Sequence, residues 1–420
     1  MTEPTPRILR ARVVLPVHRP PIQDGAVVVF GDCIAAVGRW TTLRKRFTGE
    51  MQDLGEVVLM PGLVNAHCHL DYTHMAGLFP PRKSFCDWIK LITTEKAHWT
   101  YSNFAKSWLD GANMLLRSGT TTVGDIEAVP ELLPDVWDAT PLRVISFLEM
   151  TGVRSRREPG LILQEAILQI EGLSHGRCAA ALSPHAPYST PGKLLRHTAA
   201  AARRAKLRVA THVAESATEF EMFMHARGEM FDWLGRNHRD MSDCGGVSPV
   251  QHLARQRALG PHLLAVHVNH LAHGDAALLA EKNVAVVHCP RSHDYFKHQE
   301  FPFRALTNAG VNVSLGTDSL ATVRKHPRSS LELNLFRELQ SFAAAHPGVA
   351  PDGILRLASV NGAIALGLRG KVGELSPGAF ADVIAVPFAG KIADLHSAVL
   401  HRSGDVLASM IGGTWAITPN

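Results

Sequence analysis

The residues best suited to chemistry are histidines and acids at a few points of the chain. His67 and His69 stand one residue apart in NAHCH. On a strand, residues two apart point to the same side, so both imidazoles would face one way; on a helix they would diverge. Further along, THVAES carries His212 and Glu215, LLAVHVNH carries His267, and SLGTDS carries Asp318. His67, His69, His212 and Asp318 make a nitrogen and oxygen donor set suited to Zn2+ or Fe2+, with water in an open position. Glu215 follows His212 by three, so a continued strand would turn the two to opposite sides. The strand is therefore expected to end near Ala214, with the loop bringing Glu215 back over the metal. A carboxylate there can take a proton from water and pass it to a leaving nitrogen, work that contributes roughly a hundred- to ten-thousandfold in rate. Histidine is abundant, 23 of 420 residues, and chance alone supplies about one H-x-H at that frequency. The weight rests on convergence, not on any single pair.

Convergence requires a scaffold, and the chain offers one. Eight apolar, β-branched runs end in polar residues: VVLMPGLVNAHCH, TTTVGDI, LRVISFLEM, RCAAALSPH, LRVATHVAE, LLAVHVNH, NVAVVHCP and VNVSLGTD. Continuous rather than alternating apolar character is the pattern of buried parallel strands. Helical patterns lie between them. Phe104, Trp108, Ala112, Leu115 and Leu116 share a face, Thr190 and Pro191 suit an N-cap and first helical position, and Leu331, Leu335 and Leu339 line a helix after the eighth run. Eight such units predict an α/β fold, a (β/α)8 TIM-like barrel, with the active site at the C-terminal ends of the strands. A doubly wound sheet would show GxGxxG after its first strand, and none is present. Residues 1–60 and 368–420 read as short β runs and are expected to pair into one small β-sandwich, leaving 61–367 to the barrel.

The composition sets bounds. With 420 residues, 46% hydrophobic and 19% charged, the chain is neither disordered nor low-complexity. No apolar run approaches 18 residues, which argues against a membrane span. Arg7, Arg10 and Arg12 interrupt what a signal peptide would keep apolar, so a cytoplasmic location is expected. Six cysteines without CxxC spacing argue against a disulfide framework. The net charge of +5 is spread over scattered runs such as Arg44–Arg46 and Arg203–Arg208, which read as solvated faces rather than a nucleic-acid stripe.

Taken together, NAHCHLDYTHMAG, SPHAPYSTP, THVAES, HCPRSH and SLGTDS resemble the amidohydrolase superfamily, in its cytosine deaminase-like, mononuclear branch. That branch includes S-adenosylhomocysteine, guanine and aminodeoxyfutalosine deaminases and the s-triazine chlorohydrolases. The likeness extends to the terminal ELSPGAFADVIAV. It implies that His67, His69, His212 and Asp318 bind one divalent metal, zinc foremost and iron as the alternative. It further implies Glu215 as proton shuttle, His267 as hydrogen-bonding partner of the attacking water or developing oxyanion, and Asp318 as a stabiliser of the tetrahedral adduct. Binuclear relatives carry a carboxylated Lys on the fourth strand, where this chain has Ser183-Pro184-His185, so a bridged two-metal centre is disfavoured.

Substrate contacts are expected from the loops: His185, Trp88, His293 and Ser319, with Arg154 and Arg156 in TGVRSRREP placed to clamp a carboxylate. Relatives often have Asn where His293 stands. These loops, together with the resemblance, favour hydrolytic deamination of a 6-aminopurine nucleoside derivative, such as aminodeoxyfutalosine or an adenosylhomocysteine-like compound, by metal-activated hydroxide with release of ammonia. The alternatives are deamination of guanine, cytosine or a pterin, triazine dechlorination, cyclic amide opening on the same scaffold, or a barrel that only binds. The expected partner is a small heterocyclic substrate; a homodimer follows from family analogy only.

Overall fold

The structure, a computed structural model, describes residues 5–80, 84–152, 157–173, 175–325 and 331–419. Eight parallel strands form one sheet in chain order: Leu63–Cys68, Thr120–Glu127, Arg143–Met150, Ala179–Pro184, Val209–Val213, Leu263–His267, Ala285–His288 and Val313–Leu315. They are the first to eighth barrel strands below. A parallel bridge between Cys68 and Asp318 closes the ring. The N–H groups of Thr317 and Asp318 donate to the His67 carbonyl at 3.0 and 3.2 Å. The barrel thus closes on the histidine pair itself. The fold is the (β/α)8 barrel that the eight apolar runs require.

Helical amphipathicity explains the outer layer. Helix Tyr101–Arg117 buries Phe104, Trp108, Ala112, Leu115 and Leu116, and Thr100 with Asn103 closes its N-terminus as a capping box. Two boundaries depart from the sequence reading. Pro191 is the N-cap of helix Gly192–Ala205 rather than its first residue. Leu331 lies outside helix Leu335–Ala345, because the Asn334 side chain accepts the Phe336 N–H at 3.0 Å and fixes the start there.

The second sheet draws on both chain ends. Its strands are Arg7–Val14, Ile22–Phe30, Cys33–Arg39, Glu50–Asp53, Val57–Pro61, Val383–Pro387, Ala408–Ile411 and Thr414–Ile417. Val57–Pro61 joins the two halves, pairing parallel with the first strand and antiparallel with Val383–Pro387. The far edge returns: Ile34 N–H donates to Ala379 and Ala381 N–H to Asp32, both at 2.8 Å. Leu9, Val27, Leu59, Val383 and Met410 are among its buried residues. The apolar run VVLMPGLVNAHCH, read as one strand, is therefore two strands in different sheets, divided at Gly62. A side chain at Gly62 would collide with that of Thr121, 2.1 Å from the Cβ position, so only glycine lets the run cross there. A buried ion pair between Arg143 of the third barrel strand and Asp382, 3.1 Å apart, ties the sheets a second time. All six cysteines are free. Among the described residues no helix is long and apolar enough to cross a membrane.

Candidate metal centre and cavity

His67, His69 and His212 each present a ring nitrogen, and these atoms lie within 4.8 Å of one another. His67 sits near the end of the first barrel strand, where the register slips between Asn65 and Cys68; bulges of this kind re-aim side chains beside active sites. His69 follows it into the turn Leu70–Met75. In the fifth strand Ala210 packs in the inner cluster while Val209 and Val213 pack toward the helices, so His212 shares the inner side. Asp318 Oδ1 lies 3.8 Å from His67 Nε2 and 3.7 Å from His69 Nε2.

Whether these residues suit a cation can be judged from their donors. His212 Nδ1 lies 3.0 Å from the His185 carbonyl, which only accepts, so that nitrogen carries the proton. Burial, with His185 and the other histidines nearby, holds His212 well below the usual range, and burial with His67 brings His69 down to about 3. Both rings are neutral, and His212 Nε2 is a lone pair facing His69 Nε2 at 3.4 Å. Two nitrogens bound at 2.0–2.1 Å to one ion at tetrahedral angles stand roughly 3.4 Å apart. Neither nitrogen of buried His67 has a hydrogen-bond partner among the described residues. The orphaned His67 ring and the His69 and His212 rings, whose cationic forms burial disfavours, face a buried carboxylate and fit one divalent cation. The His185 carbonyl holds His212 in the way an outer partner orients a histidine that binds a metal.

Glu215 and His267 complete the floor. Ala214 adopts φ 52° directly after the fifth strand, which turns Glu215 back over the centre. His267, Val268 and Asp318 also lie in the left-handed region, at 74°, 52° and 53°. Such conformations cost about 1–3 kcal/mol each and cluster at functional sites. Glu215 Oε1 is 3.5 Å from His267 Nε2. Burial, then Asp318 and Glu219, pushes the Glu215 carboxyl well above the carboxylate range, while burial brings His267 down to about 3.

Above this floor opens a cavity of about 500 Å³. His185, Trp88 and Ser319 line it, as do His69, His212, Glu215, His267 and Asp318. His293 does not: its Nδ1 meets Asn269 Oδ1 at 3.1 Å and its ring packs against His288, so it supports the floor from behind. Arg154 and Arg156 lie outside the described residues. Several residues that sequence reasoning passed over position the site. Asn65 donates to Thr317 Oγ1 at 2.7 Å and accepts its N–H at 3.1 Å, locking the first strand to the eighth. Glu219 accepts the Glu215 N–H at 2.9 Å, and Asn269 donates to the Glu215 carbonyl at 2.9 Å. The segment NAH already placed a polar residue two before His67, which was the available signal for Asn65. Helix Phe85–Lys96 and helix Glu229–Arg236 form the outer wall through Trp88, Lys96, Trp233 and Leu234.

The amidohydrolase family model matches residues 58–416. A 5-methylthioadenosine/S-adenosylhomocysteine deaminase of Syntrophobacter fumaroxidans is 30% identical over 414 residues, covering 93% of this chain and 87% of its own. Helicobacter pylori aminofutalosine deaminase, solved with methylthio-coformycin, superposes with a TM-score of 0.87 at 22% identity, over 98% of this chain and 100% of its own. An adenosine deaminase from Xanthomonas campestris with bound zinc gives 0.85 at 24% identity, over 99% and 94%. These two likenesses establish the fold.

Proposed function

This chain belongs to the amidohydrolase family, and on that premise we propose that it deaminates a 6-aminopurine nucleoside derivative, with water as the second substrate. The observation that carries the reading is the meeting of His67, His69, His212 and Asp318 around one point, on a cavity floor that also holds Glu215 and His267. A relative named for 5-methylthioadenosine and S-adenosylhomocysteine and a neighbour named for aminofutalosine favour the substrate class. The four clustered residues would hold a single divalent ion. Zinc is the ion of choice, as in the Xanthomonas neighbour. When bound, the ion supplies Lewis acidity that makes water nucleophilic near pH 7.

The remaining steps belong to the chain. Water adds through oxygen to C6 of the purine, and His267 and Asp318 stabilise the tetrahedral adduct from below. Glu215 accepts the proton that the water gives up and delivers it to the amino nitrogen. The C6–N bond then breaks, ammonia leaves, and the proton still on the added oxygen passes to N1 to give the 6-oxopurine. Burial strengthens the hold of Glu215 on a proton, as suits a carboxylate that takes one from water and keeps it until the leaving nitrogen receives it.

Zinc-loaded protein offered 5'-methylthioadenosine, S-adenosylhomocysteine, adenosine and aminodeoxyfutalosine should release one ammonia per purine, with the absorbance shift of 6-oxopurine formation. Turnover of guanine, cytosine or chlorotriazines without any 6-aminopurine nucleoside would overturn the reading.

A further inference from the structure

One carboxylate in the cavity has no part in the chemistry above. Glu149 stands at the C-terminal end of the third barrel strand and lines the cavity. Among the described residues neither of its oxygens accepts a hydrogen bond. Oε1 lies 3.7 Å from His185 Nε2 and Oε2 lies 3.8 Å from Lys96 Nζ. Both separations exceed the direct hydrogen-bond range of about 2.7–3.2 Å. Each is short enough for a hydroxyl to sit beside the pair and touch both members.

The flanking groups are fixed. Lys96 is bonded to the Tyr72 hydroxyl and lies over its ring, 4.6 Å from the centroid. Tyr72 in turn stacks on His69 at 5.1 Å. His185 is held through Nδ1 by Ser189 Oγ at 2.6 Å, and its ring lies 4.9 Å from that of His212. Glu149 is thus set at a constant offset from the reacting centre, on rigid elements rather than on a loop.

Chemistry then selects the occupant. An ionised carboxylate only accepts and an ammonium only donates, whereas a hydroxyl does both. A hydroxyl beside Oε2 donates to Glu149 and accepts from Lys96; a second beside Oε1 bonds Glu149 next to His185. Two acceptors on one carboxylate suit two hydroxyls on adjacent carbons, the arrangement of a ribose 2',3'-diol, and acidic side chains grip ribose hydroxyls in this way in other nucleotide sites. We propose that Glu149, flanked by Lys96 and His185, is the sugar-diol subsite of this cavity and sets its preference for ribonucleosides over deoxy forms. The assignment rests on the 6-aminopurine nucleoside reading given above.

The test compares zinc-loaded wild type and Glu149→Gln on adenosine, 2'-deoxyadenosine, 3'-deoxyadenosine and 2',3'-dideoxyadenosine. Wild type should favour adenosine over the dideoxy form in kcat/KM. Glu149→Gln should lose about 10- to 100-fold on adenosine, mostly in KM, the worth of hydrogen bonds to a charged acceptor. The same protein should change less than about threefold on the dideoxy substrate, which offers Glu149 nothing to bind. Lys96→Met should show the same selective loss. Equal losses of Glu149→Gln on both substrates would make Glu149 a mere counterion of Lys96 and overturn the subsite, as would a wild type indifferent to the diol. A wild type inactive on every 6-aminopurine nucleoside would instead sink the substrate class, and the diol subsite with it.

Discussion

The floor of the cavity and its outer wall are built by different means. On the floor, side chains are aimed by backbone: strand register, the closing bridge at Cys68 and Asp318, left-handed residues at 214, 267, 268 and 318, and a glycine at 316 whose Cβ would lie 2.6 Å from the His67 carbonyl. The wall is aimed by side-chain packing. Trp88 stacks on Phe85 and meets Phe296 edge-on, at centroid distances of 5.9 and 5.3 Å, and Ser84 bonds Glu229 across the two wall helices at 2.6 Å. Backbone geometry tolerates almost no adjustment, whereas packed side chains can repack. The floor suits chemistry that cannot vary, the wall a substrate that can.

Substitutions sharpen this contrast. The largest effect is expected from Glu215→Gln, which removes the proposed proton carrier while leaving the four clustered residues in place. Turnover should fall by about a hundred- to ten-thousandfold with metal content unchanged, measured by steady-state kinetics and elemental analysis. Activity near wild type would take Glu215 out of its role. Gly316→Ala comes next. The added methyl must push against the His67 backbone, and overpacking of this kind costs about 1–3 kcal/mol. The variant should melt earlier and hold less than one metal per chain; unchanged stability and occupancy would show that the floor is not backbone-limited. Trp88→Ala should matter least. Stacking of a base on an aromatic ring is worth about 1–3 kcal/mol, and here the expected cost is a rise in KM of about tenfold with little change in kcat. A loss confined to kcat would place Trp88 in the floor's machinery instead.

The same contrast decides what could be read from sequence. The cluster of His67, His69, His212, His267 and Asp318 was legible because each stands at or just past the end of an apolar strand, and in a closed barrel strand ends converge. Glu149 ends LRVISFLEM in the same fashion and could have been flagged by that rule. Lys96, Tyr72 and Trp233 could not, since they reach the cavity from helices and a turn whose docking depends on contacts with no local signature. His293 was misplaced for a related reason: its helix, Pro290–Phe296, presents the ring to Asn269 rather than to the cavity. The split at Gly62 does carry a local mark, the Pro61-Gly62 dipeptide, but apolar residues on both sides let the run read as one strand, and the steric encounter with Thr121 shows why the chain must cross there.

That split has a mechanical meaning. Val57–Pro61 is stitched to both ends of the chain, and after a single residue the polypeptide becomes the strand that carries His67. Any ligand that grips His67 therefore restrains, through one taut span of backbone, a β-layer it never touches. Loading the barrel should slow amide exchange in Arg7–Val14 and Val383–Pro387, making the two termini remote reporters of occupancy.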